Sequence, residues 1–427
     1  MAWLAKRLLL LAGASALALL LLDVAAARLY ARYRQRPFVR EEIVARLQNG
    51  AAPAPAAPAA AANDPRVANQ PVIIHPYFGY VANPTRAHVN EYGFYGQAPI
   101  ATRGPDVVLV AVLGGSVADQ LVKVAGDVLA DSLAQAPRFA GRRVELINLA
   151  LGGYKQPQQM LVLATLLALG AQFDVVANLD GFNEIDGAKD NQQDGVNPFF
   201  PYTWNLHSRQ AFDASTMLHM AKADLIRARR EDLRRWFAGW PVAHSAFLLT
   251  LWDFLDQRQE ADLRAETLAL RQALAQEALT PQQSGPAVHF ADDDAMYAEY
   301  VEVWARASLE MAILCAGYGI EYVHFLQPSQ YLPDAKTLTA EERQNAYDPD
   351  VADTQRVATA YPMLIERGRD LRRQNVDFVD LTSLFKDEPR SVYGDTCCHL
   401  NELGNHRLAE EIGRVIAAHD EDTGENP

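Results

Sequence analysis

The chain has few of the features that mark disulfide-rich, zinc-binding, nucleotide-binding or nucleic-acid-binding proteins. Its 427 residues include only three cysteines, which are too few for a disulfide scaffold and form no CxxC pair of the zinc-binding kind. The formal net charge of −14 argues against a nucleic-acid partner, because phosphate binding requires clustered Lys and Arg. No P-loop and no GxGxxG sequence occurs, and the histidines show no metal-site spacing. What is present is the apolar and aromatic content of a globular protein with a sizeable core.

Residues 1–40 are typical of a membrane segment. Two basic residues precede an apolar run from Leu8 to Leu22 that continues to Ala27, about the ~20 residues that a spanning helix needs. A cleavable signal peptide is the alternative, because small residues stand at 24–27. Five arginines between 28 and 40 favour a cytoplasmic main domain by the positive-inside rule, whereas an N-terminal signal-anchor usually delivers its domain outside. We expect a single-helix membrane anchor with the main domain in the periplasm or otherwise outside the cytoplasm.

The segments that flank the main domain have simple compositions. Residues 41–70 contain an Ala/Pro linker, whose prolines favour an extended backbone without a core. Residues 71–105 are rich in aromatics, glycine and Asn-Pro, which predicts turns and short strands packed on the main domain. Residues 419–427 form an acidic tail. The main domain is therefore predicted to span residues 106–418.

The most informative stretch is Val107–Asp119. Seven apolar residues, mostly β-branched, lead directly into Gly114, Gly115 and Ser116, and a helical pattern begins at Val117. Such a run is typical of a strand buried on both faces of a parallel sheet. The glycines permit a sharp turn, which leaves the serine at the carboxyl end of the strand, where open α/β sheets bind ligands. Ser116 is therefore a candidate nucleophile, although a plain strand-to-helix turn has the same pattern.

An alternation of strands and helices follows, which predicts an α/β domain with a parallel sheet and right-handed crossovers. The pattern breaks between about residues 187 and 300, where polar, aromatic and charged helical stretches predict a partly helical insertion. Such an insertion serves either as a lid or binding surface or as a surface subdomain. The further predicted strands are Val144–Leu149, Phe173–Leu179, Ile320–Leu326 and Val376–Leu381.

Polar or glycine residues follow several of these strands, namely Gly153, Asn183, Asp395 and His399. Because the carboxyl ends of parallel strands open on one edge, we expect these residues to converge on Ser116. A serine hydroxyl needs a base, which His399 supplies, and Asp395 would hold the imidazole in the correct tautomer. Backbone N–H groups of Ser116 and Gly153, with the side-chain amide of Asn183, would stabilise an oxyanion.

Each of these residues also has a structural interpretation. Gly153 and Asp395 are ordinary turn residues, and Asn183 is a favoured helix cap. His399 is equally explained as a hydrogen-bonded histidine between packed elements. The adjacent Cys397 and Cys398 are better explained as buried small hydrophobes than as reactive thiols.

Four blocks follow one another along the chain: Gly114-Gly-Ser116, Asn148…Gly153, Gly181-Phe-Asn183-Glu184 and Asp395…His399-Leu-Asn. Their order resembles that of the SGNH/GDSL hydrolase family. The resemblance covers about residues 107–418 outside the insertion, and it implies a flavodoxin-like three-layer sandwich with a mostly parallel five-stranded sheet. It further implies that Ser116 is the nucleophile, that Gly153 and Asn183 are oxyanion donors and that His399 is the base. The implied chemistry is ester hydrolysis or acyl transfer without metal or cofactor.

The chain departs from the family pattern at two positions. Gly115 stands where the name-giving motif has Asp. Asp395 precedes His399 by four residues, whereas the family's usual spacing is DxxH. Either the loop bulges by one residue or Asp395 does not orient the histidine.

These features together predict a membrane-tethered serine esterase that acts on acyl esters at the cell envelope, on acetylated polysaccharide or on lipid. Transfer of the acyl group instead of hydrolysis is an alternative, because both reactions use one acyl-enzyme. Two non-catalytic alternatives are an envelope protein that binds an acylated ligand and a scaffold in polysaccharide assembly whose insertion recruits partners.

Overall fold

The computed structural model describes residues 21–34, 37–48, 71–97, 104–208, 214–276 and 279–418. The predicted apolar run before residue 21, most of the linker and the acidic tail lie outside these residues. Within the part described, no helix combines the length and the apolar character that a membrane crossing requires. Contacts divide the chain into two units, Met1–Ala56 with Phe212–Ala278 and Ala57–Ala211 with Leu279–Pro427.

The secondary structure alternates strands and helices through the second unit. The strands are β1 (Val72–His75), β2 (Gly79–Ala82), β3 (Val107–Gly114), β4 (Arg143–Asn148), β5 (Val175–Asp180), β6 (Glu321–Leu326) and β7 (Asp377–Asp380). The helices are α1 (21–34), α2 (Arg40–Gln48), α3 (Ser116–Ala134), α4 (Gln158–Ala168), α5 (Phe182–Gln193), α6 (Trp204–His207), α7 (Ala214–Phe237), α8 (Trp240–His244), α9 (Ala246–Gln276), α10 (Pro281–Ser284), α11 (Asp293–Tyr318), α12 (Ala340–Asn345), α13 (Ala352–Arg373) and α14 (Glu402–Ala418).

Five strands form one parallel sheet in the order β4-β3-β5-β6-β7. The residues Val108–Leu113 of β3 are at most 2% exposed, as expected for a continuous apolar strand between two neighbours. The predicted parallel sheet is confirmed, and each observed strand lies within two residues of its prediction. Strands β1 and β2 form a separate antiparallel hairpin in the same unit. All five parallel strands end on the same edge, which brings distant segments together.

The helices of this unit form two packing groups. Helices α3 and α14 pack against each other, and α11 packs against α4, α5 and α13. In α14, Leu408, Ile412 and Ile416 form a buried stripe, and the Asn401 side chain accepts the N–H of Gly404 at 2.9 Å as the helix cap. A mixed α/β architecture with an all-parallel sheet results, and it is compatible with three layers.

The predicted insertion at 187–300 has different boundaries in the structure. Helix α5 continues to Gln193, so Gly187 lies inside a helix instead of opening an irregular segment. Its buried Phe182, Ile185 and Ala188 recur at helical spacing, but the surrounding polar residues conceal this pattern in the sequence. Helix α11 begins at Asp293, before the predicted end of the insertion at residue 300, because Asp292 caps it.

The other unit is helical. Helices α7 and α9 pack against each other, and α2 and α8 pack on α9. Its small core includes Tyr30, Ile43, Phe237 and Trp252. Residues 214–276 of the predicted insertion therefore belong to a unit that also contains the N-terminal segment.

Candidate active site

Ser116 is placed by a sharp turn between β3 and α3. Gly114 has φ +144°, and a methyl group there would collide with the carbonyl oxygen of Leu179. Gly115 is the N-cap, so that Ser116 is the first residue of α3 and is half-buried. Because the first N–H groups of a helix have no partner within the helix, this position offers donors beside the serine hydroxyl.

Three predicted residues form a continuous hydrogen-bonded chain. His399 Nε2 lies 2.8 Å from Ser116 Oγ, and His399 Nδ1 lies 2.5 Å from Asp395 Oδ2. With its proton on Nδ1, the imidazole donates to the carboxylate and leaves Nε2 to accept the serine proton. The serine and histidine are 283 residues apart in sequence, and the parallel sheet brings them together.

The four-residue spacing between Asp395 and His399 is accommodated by a tight turn. Asp395 Oδ1 accepts the backbone N–H groups of Cys397 at 3.0 Å and of His399 at 3.3 Å. Gln330 Nε2 donates to the carbonyl oxygens of Asp395 at 3.0 Å and of Cys397 at 3.1 Å. The sequence left open whether Asp395 reaches the histidine, and in the structure its carboxylate contacts the His399 ring.

The hydrogen bond between Asp395 and His399 shifts both titrations. It raises the pKa of His399 above its ordinary value, and burial opposes the shift only in part. It lowers the pKa of Asp395 below its ordinary value. Both directions favour the charged imidazolium beside a carboxylate, which is the state that a general base reaches after it takes a proton.

Asn183 lies directly beside the serine turn. Its Nδ2 donates to the carbonyl oxygen of Tyr154 at 2.9 Å, and a methyl group on Gly115 would collide with this nitrogen. The side chain therefore does not cap α5. Since an amide nitrogen carries two hydrogens, one donor is left beside Ser116.

The turn after β4 is the other neighbour of the serine. A methyl group on Gly152 would lie 4.0 Å from Ser116 Cβ. Gly153 has φ +79°, and a methyl group there would lie 2.7 Å from the Tyr80 hydroxyl oxygen and 2.9 Å from the Tyr202 ring. Gly153 is therefore both a turn residue that must lack a side chain and a neighbour of the site.

The β1–β2 hairpin supports the turn after β4, although its sequence predicts only packing on the main domain. The Tyr80 hydroxyl donates to the carbonyl oxygen of Gly152 at 2.9 Å, and the Tyr154 hydroxyl donates to the carbonyl oxygen of Tyr80 at 2.6 Å. No local motif marks these tyrosines, because both contacts join segments more than seventy residues apart.

Residues 198–204, which we call the aromatic segment, are fixed by a buried lysine that no sequence motif marks. Lys155 is 1% exposed, and its Nζ donates to the carbonyl oxygens of Pro198 at 2.5 Å and of Phe200 at 2.6 Å. Burial lowers the pKa of Lys155 to about 7. Through these bonds the aromatic segment is held with the Tyr202 ring against Gly153.

An aromatic cleft of about 840 Å³ adjoins the same segment. Pro201 lines the cleft, and the next residue, Tyr202, contacts Gly153, so one segment borders both the cleft and the site. Among the described residues that line it there is no Asp, Glu, Lys or Arg. The aromatic residues of its lining are His75, Tyr77, Phe78, Phe199, Phe200 and Trp204.

A second Ser–His–Asp chain lies in the core. Ser308 Oγ is 2.7 Å from His324 Nδ1, and His324 Nε2 is 2.8 Å from Asp180 Oδ1. All three residues are at most 2% exposed. These three residues therefore have a structural role: they pair buried polar groups of β5, β6 and α11 by hydrogen bonds.

No protein-family model matches the chain, and the comparison with curated proteins gives no match. The resemblance to SGNH/GDSL hydrolases accordingly rests on the four sequence blocks.

Proposed function

We propose that this protein is a serine esterase of SGNH type that hydrolyses or transfers an acyl group through an acyl-enzyme on Ser116. The observation that carries the proposal is the 2.8 Å contact between Ser116 Oγ and His399 Nε2, with Asp395 on the other ring nitrogen. In the sheet order β4-β3-β5-β6-β7, the strand that follows β3 in the chain lies at the edge and the later strands lie on the other side of β3. This is the flavodoxin-like order, and it supports a three-layer fold of that type.

The proposed reaction begins with attack of Ser116 Oγ on the ester carbonyl carbon while His399 Nε2 takes the hydroxyl proton. Asp395 stabilises the resulting imidazolium. The oxyanion accepts hydrogen bonds from the backbone N–H groups of Ser116 and Gly153 and from Asn183 Nδ2. Collapse expels the alcohol, which receives the proton from His399.

The acyl-enzyme is then released by a second nucleophile. Water, or the hydroxyl of an acceptor, gives its proton to His399 Nε2 and attacks the acyl carbon. The tetrahedral intermediate then collapses, the bond between the acyl carbon and Ser116 Oγ breaks, and Oγ takes the proton back from His399. With water the products are an acid and the free enzyme; with an acceptor hydroxyl the product is a new ester.

We propose that the substrate is an acyl ester of an envelope polysaccharide or lipid. We further propose that the N-terminal segment tethers the domain that binds this substrate to the membrane. The aromatic cleft supports an uncharged substrate, because its lining contains no acidic or strongly basic side chain. Aromatic rings bury large apolar areas and thus suit sugar faces and acyl groups alike.

The proposal is tested with a fluorophosphonate probe and a small acetyl ester. We expect the wild type to be labelled and to release acid, and we expect Ser116→Ala to lose both properties. Ser308→Ala is the matched control, since it removes a second serine hydroxyl that bonds a histidine among the described residues. An unlabelled but folded wild type contradicts the proposal. Adding a glycan acceptor then separates transfer, which yields acyl-glycan, from hydrolysis.

A further inference from the structure

Two adjacent thiols lie inside the loop that carries the proposed acid and base. Cys397 and Cys398 stand between Asp395 and His399, and their Sγ atoms are 3.4 Å apart. Both are free cysteines; Cys398 is buried and Cys397 is half-buried. The third free cysteine, Cys315, is 0% exposed on α11.

The two thiols have unequal environments. The hydrogen bond from Cys398, with the charge of nearby His399, lowers the pKa of the Cys397 thiol. The same hydrogen bond, with burial, raises the pKa of the Cys398 thiol. Cys397 is thus the better thiolate and the more accessible sulfur, and Cys398 is positioned to resolve an oxidised neighbour.

We propose that Cys397 and Cys398 form a reversible disulfide in the presence of hydrogen peroxide and that this modification inactivates the catalytic chain beside it. The inactivation rests on the proposed esterase function; the disulfide does not. Adjacent thiols 3.4 Å apart need little movement of their sulfur atoms to react.

The reaction balances in two steps. The Cys397 thiolate attacks one peroxide oxygen, an S–O bond forms, the O–O bond breaks, and hydroxide leaves to give a sulfenic acid. The Cys398 sulfur then attacks the Cys397 sulfur, an S–S bond forms and the S–O bond breaks. The departing hydroxide takes the Cys398 proton as water. Two thiols are oxidised by two electrons, and one peroxide is reduced to two waters once the first hydroxide is protonated.

The disulfide would disturb the loop because of backbone geometry. Consecutive Cα atoms are about 3.8 Å apart across a trans peptide, whereas disulfides usually join Cα atoms about 4.4–6.8 Å apart. The ring that this disulfide closes is therefore strained, and the backbone angles on both sides of the peptide between the cysteines must adjust. That peptide lies between the two N–H groups, of Cys397 and His399, that bond Asp395 Oδ1.

Loss of these bonds would move His399 away from Asp395 and Ser116. A disulfide strained in this way is more easily reduced than an ordinary structural one, which makes the modification reversible. A soft metal ion is another occupant to consider, since ligand atoms of Cys397, Cys398 and His399 lie within 4.8 Å of one another. Both ring nitrogens of His399 are already engaged, so the structure favours oxidation.

The test treats the full chain with hydrogen peroxide and then with dithiothreitol. We expect the intact mass to fall by two hydrogen atoms, with the link mapped to the peptide that contains Cys397 and Cys398. We expect fluorophosphonate labelling to fall by about 10⁴-fold, as for loss of the contact between the triad carboxylate and its histidine, and to recover after reduction. Cys315→Ser is the matched control and should behave as the wild type. Cys397→Ser and Cys398→Ser should form no intramolecular disulfide and should keep labelling through a peroxide and reduction cycle.

The outcomes separate this proposal from the proposed function. A disulfide that forms with unchanged labelling overturns the switch. Peroxide treatment that forms no disulfide also overturns it. So does a protein that Zn²⁺ inhibits and peroxide does not. If the reduced protein never labels, the esterase proposal fails. The His399 ring titration by NMR then still reports the loop: its pKa should fall toward the ordinary value on oxidation, and an unchanged pKa contradicts the displacement.

Discussion

The carboxylate of Asp395 accepts hydrogen bonds both from the loop that leads to His399 and from the histidine ring. One oxygen accepts the ring nitrogen Nδ1 at 2.5 Å, and the other accepts two backbone N–H groups of the intervening turn. Orientation of the base and conformation of the loop therefore depend on one side chain. This coupling underlies the first prediction.

Asp395→Asn should change both the rate and its pH dependence. The base acts when neutral, so the rate rises with pH through the His399 pKa, which Asp395 raises above 6.5. Without the carboxylate this pKa falls, and the acidic limb of the kcat/KM profile should move to lower pH. The plateau should drop by about 10⁴-fold, because the amide favours the wrong tautomer. A limb that stays in place would show that Asp395 does not set the histidine's pKa.

Asn183→Ala should lower kcat by about 10²–10³-fold with little change in KM, since an oxyanion donor acts in the transition state. The measurement is steady-state hydrolysis of a small acetyl ester. A rise in KM of the same size with kcat unchanged would assign Asn183 to substrate binding and would remove it from the oxyanion site.

Gly115→Ala should reproduce much of the Asn183→Ala defect although no catalytic side chain is replaced. The new methyl group collides with Asn183 Nδ2 and would lie 3.2 Å from the carbonyl oxygen of Tyr154, so the amide must move. Gly126→Ala, in the same helix, is the matched control. Its methyl group meets Leu146 at 3.4 Å, and it should raise the free energy of unfolding by about 0.5–1 kcal/mol while kcat stays constant.

Ser308→Ala should destabilise the fold and spare the chemistry. It leaves the buried His324 Nδ1 without its partner, which costs about 1–3 kcal/mol in the free energy of unfolding. Denaturant unfolding measures this cost, and fluorophosphonate labelling at a concentration of denaturant far below the transition checks the active site. A loss of labelling in the folded variant would mean that the buried chain is coupled to the reaction.

Lys155→Met should loosen the aromatic segment that borders the site. Two donors to carbonyl oxygens of Pro198 and Phe200 disappear, so the Tyr202 ring loses its fixed position on Gly153. We expect KM for a large acyl ester to rise more than KM for a small one. Lys189→Met is the control, because its ion pair is with the exposed Asp293 and contributes little. Equal effects on both esters would assign Lys155 to stability alone.

Much of the site followed from the sequence because its elements are marked by local rules. The apolar run at Val107–Leu113 and the glycines after it predict the buried strand and the turn that present Ser116. Strand alternation then predicts a common edge for Asn183 and His399. These inferences need only hydrophobic period, turn chemistry and the topology of parallel sheets.

Other features depend on contacts that no local pattern encodes. Tyr80, Lys155 and Tyr202 act on the site through backbone groups far away in sequence. Residue types alone do not distinguish Ser116–His399–Asp395 from Ser308–His324–Asp180; in the sequence only the glycine turn at the end of β3 marks Ser116. Their difference is burial, which only packing decides.

The sequence by itself determined the parallel α/β sheet and the serine at its edge, because backbone preferences and apolar periodicity act over a few residues. Tertiary structure alone decided whether Asp395 reaches His399, where the glycines lie relative to Asn183, and which serine faces an accessible histidine. Those outcomes are distances between side chains carried by different elements, and they exist only once the sheet and its helices are packed.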